Sequence, residues 1–438
     1  MINIRTLLYD NISIQEKCDI LMKSIELIEK MMKDESYSTL ISEIMPDIEK
    51  NLDVFDEKGE FCEDLLIPYI NKYEIFQREC MKYQVYLVGN ASDCSEIKNY
   101  MNNEKVHLLA RADGDVIPDY IIVCTMPNEE LTQFLANTGK NTHIVNLYFV
   151  RYVKWQISPE TAYYDMKLKK NMKTGVEGAL CGMSYEANGV DCEKIENLAC
   201  LAAPSMDLFC DYYSFLWLYE AMLIKQKTQI KYCLIGMNYY KLWFDLSLSS
   251  RRSVMLSHYE KLGDMHHCHD FDGLLSSYKK DVITCNMLMD DYVEQDFNNH
   301  FPQKPYEENL KKSFSPDTHY KESVEHIKKL FDKPYPETFK ENVAILDKFL
   351  KFCYIHNITV LVFIPPFSKL CNEFTPAHMR QQTQDIIMMM QEKYGFEFLD
   401  FNEREEFEDK HFRDADHLNM QGRDLLTKCL MPYIDKMR

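Results

Sequence analysis

The chain has few of the residues that form flexible linkers, with 13 glycines and 15 prolines among 438 residues. Average usage of about 7% glycine and about 5% proline would give roughly twice as many, so long structureless linkers are not expected. No run reaches the roughly 18 apolar residues of a membrane-spanning helix, and no apolar signal segment follows the N-terminus. We therefore expect no membrane span, no secretion and a cytoplasmic location.

Basic residues are also in short supply, with 50 lysines and arginines against 69 aspartates and glutamates and a net charge of −19. This charge repels phosphate backbones, so nucleic acid is not an expected partner. The 15 cysteines are scattered without a C-x-x-C pair, which argues for reduced thiols rather than disulfides. The hydrophobic content of 46% is typical of a globular protein, and the length allows two to four domains.

The hydrophobic pattern changes along the chain. Residues 1–80 have helical spacing, which predicts a small helical domain. Residues 81–155 alternate apolar runs with helical intervals, which predicts a small Rossmann-like α/β domain with parallel strands. Gly89 after its first strand lacks the two further glycines of a dinucleotide fingerprint. We therefore expect no cofactor there, and a structural or protein-docking role stays open.

A linker over residues 156–173 leads into a second α/β series over residues 174–438. Its predicted strands are 179–181, 198–203, 232–235, 359–364 and 396–401, and its predicted helices are 206–226, 341–355, 376–394 and one after Gly422. The residues between the third strand and the helix at 341 are rich in His, Asp, Tyr and Met. We predict that residues 250–340 form an inserted, partly helical cap segment.

Two polar residues follow strands of this second series. Ser184 comes two residues after Gly182, at a strand end where open α/β folds bind ligands. It can be a nucleophile or the cap of a helix. Asn238, in Gly236-Met237-Asn238, follows the third strand, where its amide can donate a hydrogen bond to a developing oxyanion.

A third candidate lies before the last helix. Asp414 precedes His417 by three residues, which lets the carboxylate fold back onto one imidazole nitrogen and orient a base. Alternatively, Asp416 or Asn419 caps the final helix and His417 only packs.

In their order along the chain, these motifs resemble the SGNH (GDSL-type) hydrolase and acyltransferase superfamily over about residues 174–438. The resemblance implies a flavodoxin-like α/β/α sandwich with a parallel sheet. It also implies that Ser184 is the nucleophile and that Asp414 and His417 complete its triad. The side chain of Asn238 and the backbone N–H of Ser184 would form the oxyanion hole.

Ser205, in a turn that looks like the second block of the superfamily, and Arg251 are the candidate substrate-binding residues. Arg251 is equally consistent with an ordinary surface position. The sequence departs from the superfamily pattern at Met183, where Asp or Ser is usual, and at Tyr239, where Asp is usual.

The sequence looks most like a branch found among bacterial surface-polysaccharide and teichoic-acid modification proteins. The motifs that carry this likeness are the first block with Met183 before Ser184, the Gly-Val-Asp that follows it, and the Pro-Ser-x-Asp turn at Ser205. This branch implies a serine esterase or O-acyltransferase that acts through an acyl-serine on an acylated carbohydrate or a cell-surface polysaccharide precursor. The alternative is a catalytically degenerate scaffold in polysaccharide biosynthesis, whose N-terminal domains recruit protein partners.

Residues 264–270 read Asp-Met-His-His-Cys-His-Asp. Their candidate ligands occupy consecutive positions rather than the spacings that converge on one ion. We therefore assign no metal ligand and interpret the segment as a polar surface of the cap segment, with a metal site as the alternative.

Overall fold

The protein is represented by a computed structural model, which divides the chain into two compact units. The first comprises Met1–Asn146 and Cys285–Asp290, and the second comprises Leu147–Thr284 and Asp291–Arg438. The residues that the structure describes are 4, 7, 12–31, 69–74, 82–110, 118–139, 142–157, 159–224, 229–258, 261–262, 265–290, 292, 295–296, 299, 307–316, 318, 320–333, 335–402 and 404–438.

The described residues of the predicted N-terminal helical domain include one long helix, α1 (Ile14–Met31), and a helical stretch at residues 69–74. Most of the remaining residues up to 80 lie outside the described ranges. The division at residue 80 therefore stays a prediction.

A four-stranded parallel sheet follows in the first unit. Its elements in chain order are β1 (Tyr83–Val88), α2 (Ala91–Lys98), β2 (Val106–Leu108), β3 (Tyr120–Val123), α3 (Glu129–Ala136) and β4 (His143–Val145). The strand order is β2-β1-β3-β4. Gly89, after β1, has a φ of +149°, and a Cβ there would lie 2.9 Å from Thr125 Oγ1. Close packing therefore explains this glycine without a dinucleotide.

The second unit begins with helices. Its first elements are α4 (Leu147–Arg151), a π-helical turn (Tyr152–Ile157) and α5 (Pro159–Thr174). Most of the stretch predicted as a linker is therefore helical.

The second sheet has five parallel strands. They are β5 (Gly178–Cys181), β6 (Leu198–Cys200), β7 (Tyr232–Gly236), β8 (Thr359–Ile364) and β9 (Glu397–Asp400). Their order is β6-β5-β7-β8-β9, the 2-1-3-4-5 order of flavodoxin-like folds. The apolar runs of β5, β6 and β7 are completely buried, as expected for strands covered on both faces. The predicted parallel α/β fold is confirmed.

The further helices described in this unit are α6 (Ser184–Gly189), α7 (Leu208–Ile224), α8 (Asp272–Met289, whose last residues from Cys285 are assigned to the first unit), α9 (Glu307–Leu310), α10 (Tyr320–Phe331), α11 (Pro336–Ile355), α12 (Lys369–Glu373), α13 (Ala377–Tyr394) and α14 (Met420–Met437). Short 3-10 turns cover Cys192–Lys194, Lys241–Trp243, Arg252–His258, His269–Phe271 and Asp409–His411. The helix predicted from 341 begins earlier because Pro336 occupies its first turn, where proline loses no helical hydrogen bond.

Strand order places the candidate chemistry at one edge of the second sheet. The order reverses between β5 and β7, and open α/β folds bind ligands beyond the carboxyl ends of the strands at this point. Ser184 follows β5 and Asn238 follows β7. Within the described ranges, no helix is both long and apolar enough to cross a membrane.

Candidate active site

Ser184, His417 and Asp414 lie in hydrogen-bonding contact. Ser184, the first residue of α6, has its Oγ 2.9 Å from His417 Nε2 across 233 positions of sequence. His417 Nδ1 lies 3.0 Å from Asp414 Oδ1, which also accepts the backbone N–H of His417 at 2.7 Å. This is the geometry of a nucleophile, a general base and the carboxylate that orients the base.

The loop carrying His417 is held by a tight turn and by the start of α14. The backbone N–H of Arg413 donates to His417 O at 2.9 Å. Asn419 caps α14, with its side-chain oxygen accepting the N–H groups of Gln421 at 3.0 Å and Gly422 at 3.1 Å. The interpretation of Asn419 as the helix cap is therefore correct, and it is compatible with His417 contacting Ser184.

A second carboxylate, Asp416, also faces the imidazole. Its Oδ1 lies 3.3 Å from His417 Nδ1 and 3.2 Å from His326 Nε2 of α10. Its Oδ2 accepts the Tyr185 hydroxyl at 2.9 Å. The side chain of Asp416 is 1% exposed, against 47% for Asp414. From the sequence, Asp416 is considered only as a possible helix cap, although its position next to His417 in the chain could have indicated a role at the site. No sequence pattern indicated His326.

The two carboxylates control the charge of His417. Burial disfavours the imidazolium, but Asp416 and then Asp414 outweigh it and raise the pKa of His417 to about 10. Burial likewise opposes the charge on Asp416, yet His417 and His326 hold the pKa of its carboxyl well below the ordinary value. In the free protein at neutral pH, His417 therefore carries a proton on both nitrogens and accepts another group's proton only after losing one.

The buried side chain of Glu186 occupies the space next to Gly182 and Gly236, where a larger residue would not fit. Glu186 Oε2 accepts the backbone N–H of Met183 at 2.6 Å, and burial raises the pKa of its carboxyl to about 7. A Cβ at Gly182 would lie 2.4 Å from Glu186 Oε2, and one at Gly236 would lie 2.1 Å from Glu186 Cγ. Both glycines therefore leave room for this side chain beneath the serine turn.

A buried ion pair supports the same turn. Lys241 Nζ donates to Asp211 Oδ2 at 2.5 Å and to Gly236 O at 2.9 Å, and both charged side chains are fully buried. The other oxygen of Asp211 accepts the N–H of Gly182 at 3.1 Å. The charges thus fix the backbone on either side of the β5–β7 crevice.

Asn238 is fully buried at the end of β7. Its Nδ2 lies 3.1 Å from Met183 Sδ, and its Oδ1 accepts the backbone N–H of Tyr240 at 3.1 Å. Met183 therefore occupies one hydrogen-bonding position of the Asn238 side-chain amide. Tyr239, which stands where the superfamily has Asp, donates its hydroxyl to Asp400 of β9 at 2.6 Å.

The two candidate substrate-binding residues are placed apart from these contacts. Ser205 lies half-buried in the turn after β6 with a φ of +66°. Arg251 is exposed, and its backbone N–H donates to Ser249 Oγ at 3.1 Å. Among the hydrogen bonds of the described residues, neither contacts Ser184 or His417. Their roles in substrate binding stay predictions.

Within the described part of the chain, two groups of side chains place donor atoms close enough to hold a metal ion. One is Asp414, Asp416 and His417; the other is Asp245, His266, His267 and Glu341. The second group contains only two residues of the segment 264–270, joined by two carboxylates from elsewhere. Sequence spacing within the segment did not indicate it, and Asp264 lies outside the described residues.

Comparison with known proteins adds a family to this geometry. No curated protein matches the sequence. A family model described as DltD protein matches residues 294–433, a region that includes Asp414 and His417 and begins after Ser184 and Asn238. DltD is an SGNH-like protein of teichoic-acid D-alanylation. The C-terminal part of this chain is therefore similar to DltD proteins, which bears out the resemblance to this superfamily and branch.

Proposed function

We propose that the second unit is a serine acyl-transfer enzyme, an esterase or O-acyltransferase acting on an acylated carbohydrate or a cell-surface polysaccharide precursor. The observation that carries the proposal is the 2.9 Å contact of Ser184 Oγ with His417 Nε2. The 3.0 Å contact of Asp414 with the other ring nitrogen supports it, since a nucleophile needs an oriented base.

The residues define the steps. Neutral His417 takes the proton of Ser184 while Oγ attacks the carbonyl carbon of an ester or thioester. The backbone N–H of Ser184 and the amide of Asn238 would stabilise the oxyanion. His417 then gives its proton to the leaving alcohol or thiol, and an acyl-serine remains. Attack by water completes an esterase cycle, and attack by a sugar hydroxyl completes acyl transfer.

The DltD match supports a D-alanyl ester or thioester as the acyl donor and a teichoic acid as the acceptor. Mass spectrometry of the protein after incubation with D-alanyl and acetyl thioesters separates these donors. We expect a D-alanyl adduct on the peptide containing Ser184. An acetyl adduct alone would retain the serine mechanism and reject this donor.

A fluorophosphonate probe tests the nucleophile. We expect covalent labelling of the wild type that is abolished in Ser184→Ala and falls at least about 100-fold in His417→Ala. Ser313→Ala is the matched control because Ser313 is exposed on a loop of the same unit. Labelling that survives in Ser184→Ala would reject Ser184 as the nucleophile.

The second candidate is a noncatalytic scaffold in the same pathway. Two observations favour it: the amide of Asn238 contacts Met183 Sδ, and the pKa of His417 is raised to about 10. Absence of labelling across pH 6–10 in a protein with a cooperative thermal transition would support the scaffold and reject the enzyme.

A further inference from the structure

Four metal-ligand side chains from three separate segments meet in the second unit. Asp245 lies in the loop after β7, His266 and His267 lie before the turn at His269–Phe271, and Glu341 lies on α11. One donor atom of each lies within 4.8 Å of the others. This group, the His/carboxylate cluster, shares no residue with the Ser184 site.

The separations suit coordination of a single ion. His267 Nε2 lies 2.8 Å from Glu341 Oε2 and 3.6 Å from Asp245 Oδ2. His266 lies 3.1 Å from Glu341 Oε1 through Nε2 and 3.6 Å from Asp245 Oδ2 through Nδ1. Tetrahedral zinc with bonds of about 2.0–2.2 Å holds its ligand atoms roughly 3.3–3.6 Å apart. One ion takes one donor atom from each residue, and such a set lies within 4.8 Å, so side-chain rotation is needed to bring the four atoms to this spacing.

Among the described residues, the buried carboxylate of Asp245 has one oxygen with no close hydrogen bond. Its Oδ1 accepts the backbone N–H of Ser247 at 2.8 Å, whereas Oδ2, on a side chain 1% exposed, has only longer contacts of 3.6 Å with Nδ1 of His266 and Nε2 of His267 among the described residues. Buried polar atoms are nearly always paired, so such an oxygen facing two imidazoles calls for an explanation. A cation between these groups supplies its partner.

The cluster is also held in place by its surroundings. The ring of Phe209 stacks on His266 with centroids 4.2 Å apart at 11°. The backbone N–H of His267 donates to Ser247 Oγ at 3.2 Å, and that hydroxyl donates to Asp245 Oδ1. Ligands fixed in this way lose little freedom when an ion binds.

We propose that Asp245, His266, His267 and Glu341 bind one divalent transition-metal ion, with Zn²⁺ as the best fit. Two imidazole nitrogens and two carboxylate oxygens suit zinc, whereas Mg²⁺ and Ca²⁺ prefer oxygen alone. Four protein ligands complete a tetrahedral shell, which is typical of a structural site. The ion fastens residues 265–271, at the start of the cap segment, to α11 and to the loop after β7.

The test is a titration of the full-length, chelator-treated protein with Zn²⁺ against a chromophoric competitor, repeated with Co²⁺ as a spectroscopic probe. We expect one ion per chain, an intense visible Co²⁺ absorption typical of four-coordinate geometry, and a rise in melting temperature. His267→Ala and Glu341→Gln should each weaken binding at least tenfold. His269→Ala should bind like the wild type, since His269 is 77% exposed and outside the cluster.

Three results would overturn the proposal. The first is a wild type that binds no more Zn²⁺ than His267→Ala does. The second is equal weakening in His269→Ala, which would mark unspecific binding by exposed histidines. The third is a weak, six-coordinate Co²⁺ spectrum. The wild-type measurements decide the matter even where a variant does not fold.

Discussion

Replacing Asp416 by Asn tests which carboxylate sets the charge of His417. Asp416 is buried with Oδ1 3.3 Å from His417 Nδ1, and it is the largest contributor to the raised pKa of His417. Asn keeps the shape of the side chain and removes its charge. We expect the pKa of His417 to fall, so that neutral imidazole forms at lower pH.

The structure sets the size of this effect. Two unit charges 3.3 Å apart interact by about 5 kcal/mol at an effective dielectric constant of about 20. This corresponds to about 3.7 pKa units at about 1.36 kcal/mol per unit. Asp416 also interacts with His326, and the site relaxes when the charge is removed, so we expect a net fall of about 2 units.

The assay is the rate of fluorophosphonate labelling of Ser184 between pH 6 and pH 11. The wild-type rate should rise with pH through the pKa of His417, because only the neutral imidazole accepts the serine proton. In Asp416→Asn the midpoint of this rise should move down by about 2 pH units. Asp414→Asn is the matched comparison: it removes the orienting hydrogen bond and should mainly lower the plateau rate. A midpoint that stays fixed in Asp416→Asn and moves in Asp414→Asn would refute this assignment.

The pH dependence of the free energy of unfolding is a second measurement of the interaction between Asp416 and His417. The folded-state pKa of His417 is about 10, against an ordinary value of 6.5. The resulting stabilisation is therefore complete below about pH 6.5 and is lost as pH rises through about 10. The free energy of unfolding of the wild type should be lower at pH 10 than at pH 7. This difference should be smaller in Asp416→Asn.

Three further predictions concern stability, each measured by urea denaturation. Gly182→Ala should cost about 1–3 kcal/mol more than Gly395→Ala: both glycines have positive φ, but only at Gly182 does a Cβ meet another side chain. Equal costs would contradict the steric argument. Lys241→Met removes the charge partner of buried Asp211 and should cost about 3–5 kcal/mol, whereas Lys393→Met at a surface pair should cost far less. Asn419→Ala should cost about 1–2 kcal/mol by removing the cap of α14, and an unchanged stability would reject that role.

Local patterns in the sequence determined much of the fold. The apolar runs predict all five strands of the second sheet to within a few residues, and for β5 to β8 the reason is that a strand buried on both faces needs apolar residues at nearly every position. Proline and asparagine mark helix starts at Pro336 and Asn419 for reasons that lie within one turn of chain. The helix Pro159–Thr174 was missed because its lysines and tyrosines follow no clear helical repeat.

Some contacts of the candidate site could be predicted from local sequence and others could not. The spacing of Asp414 and His417 is local, so the sequence predicts their contact directly. Assigning Ser184 as their partner needed resemblance to a family, because 233 residues separate it from His417. The roles of Asp416 and His326 had no comparable pattern and emerged only from the contacts.

The sequence by itself determined which segments become strands and helices, since hydrophobic periodicity and capping act between near neighbours. Only the tertiary structure decided which side chains meet. Sheet order brings the ends of β5 and β7 to one crevice, and packing brings Glu341 to His266 and His267 across more than 70 positions. The physical reason is that such contacts depend on how whole elements pack, and no local pattern encodes a contact between segments so far apart along the chain.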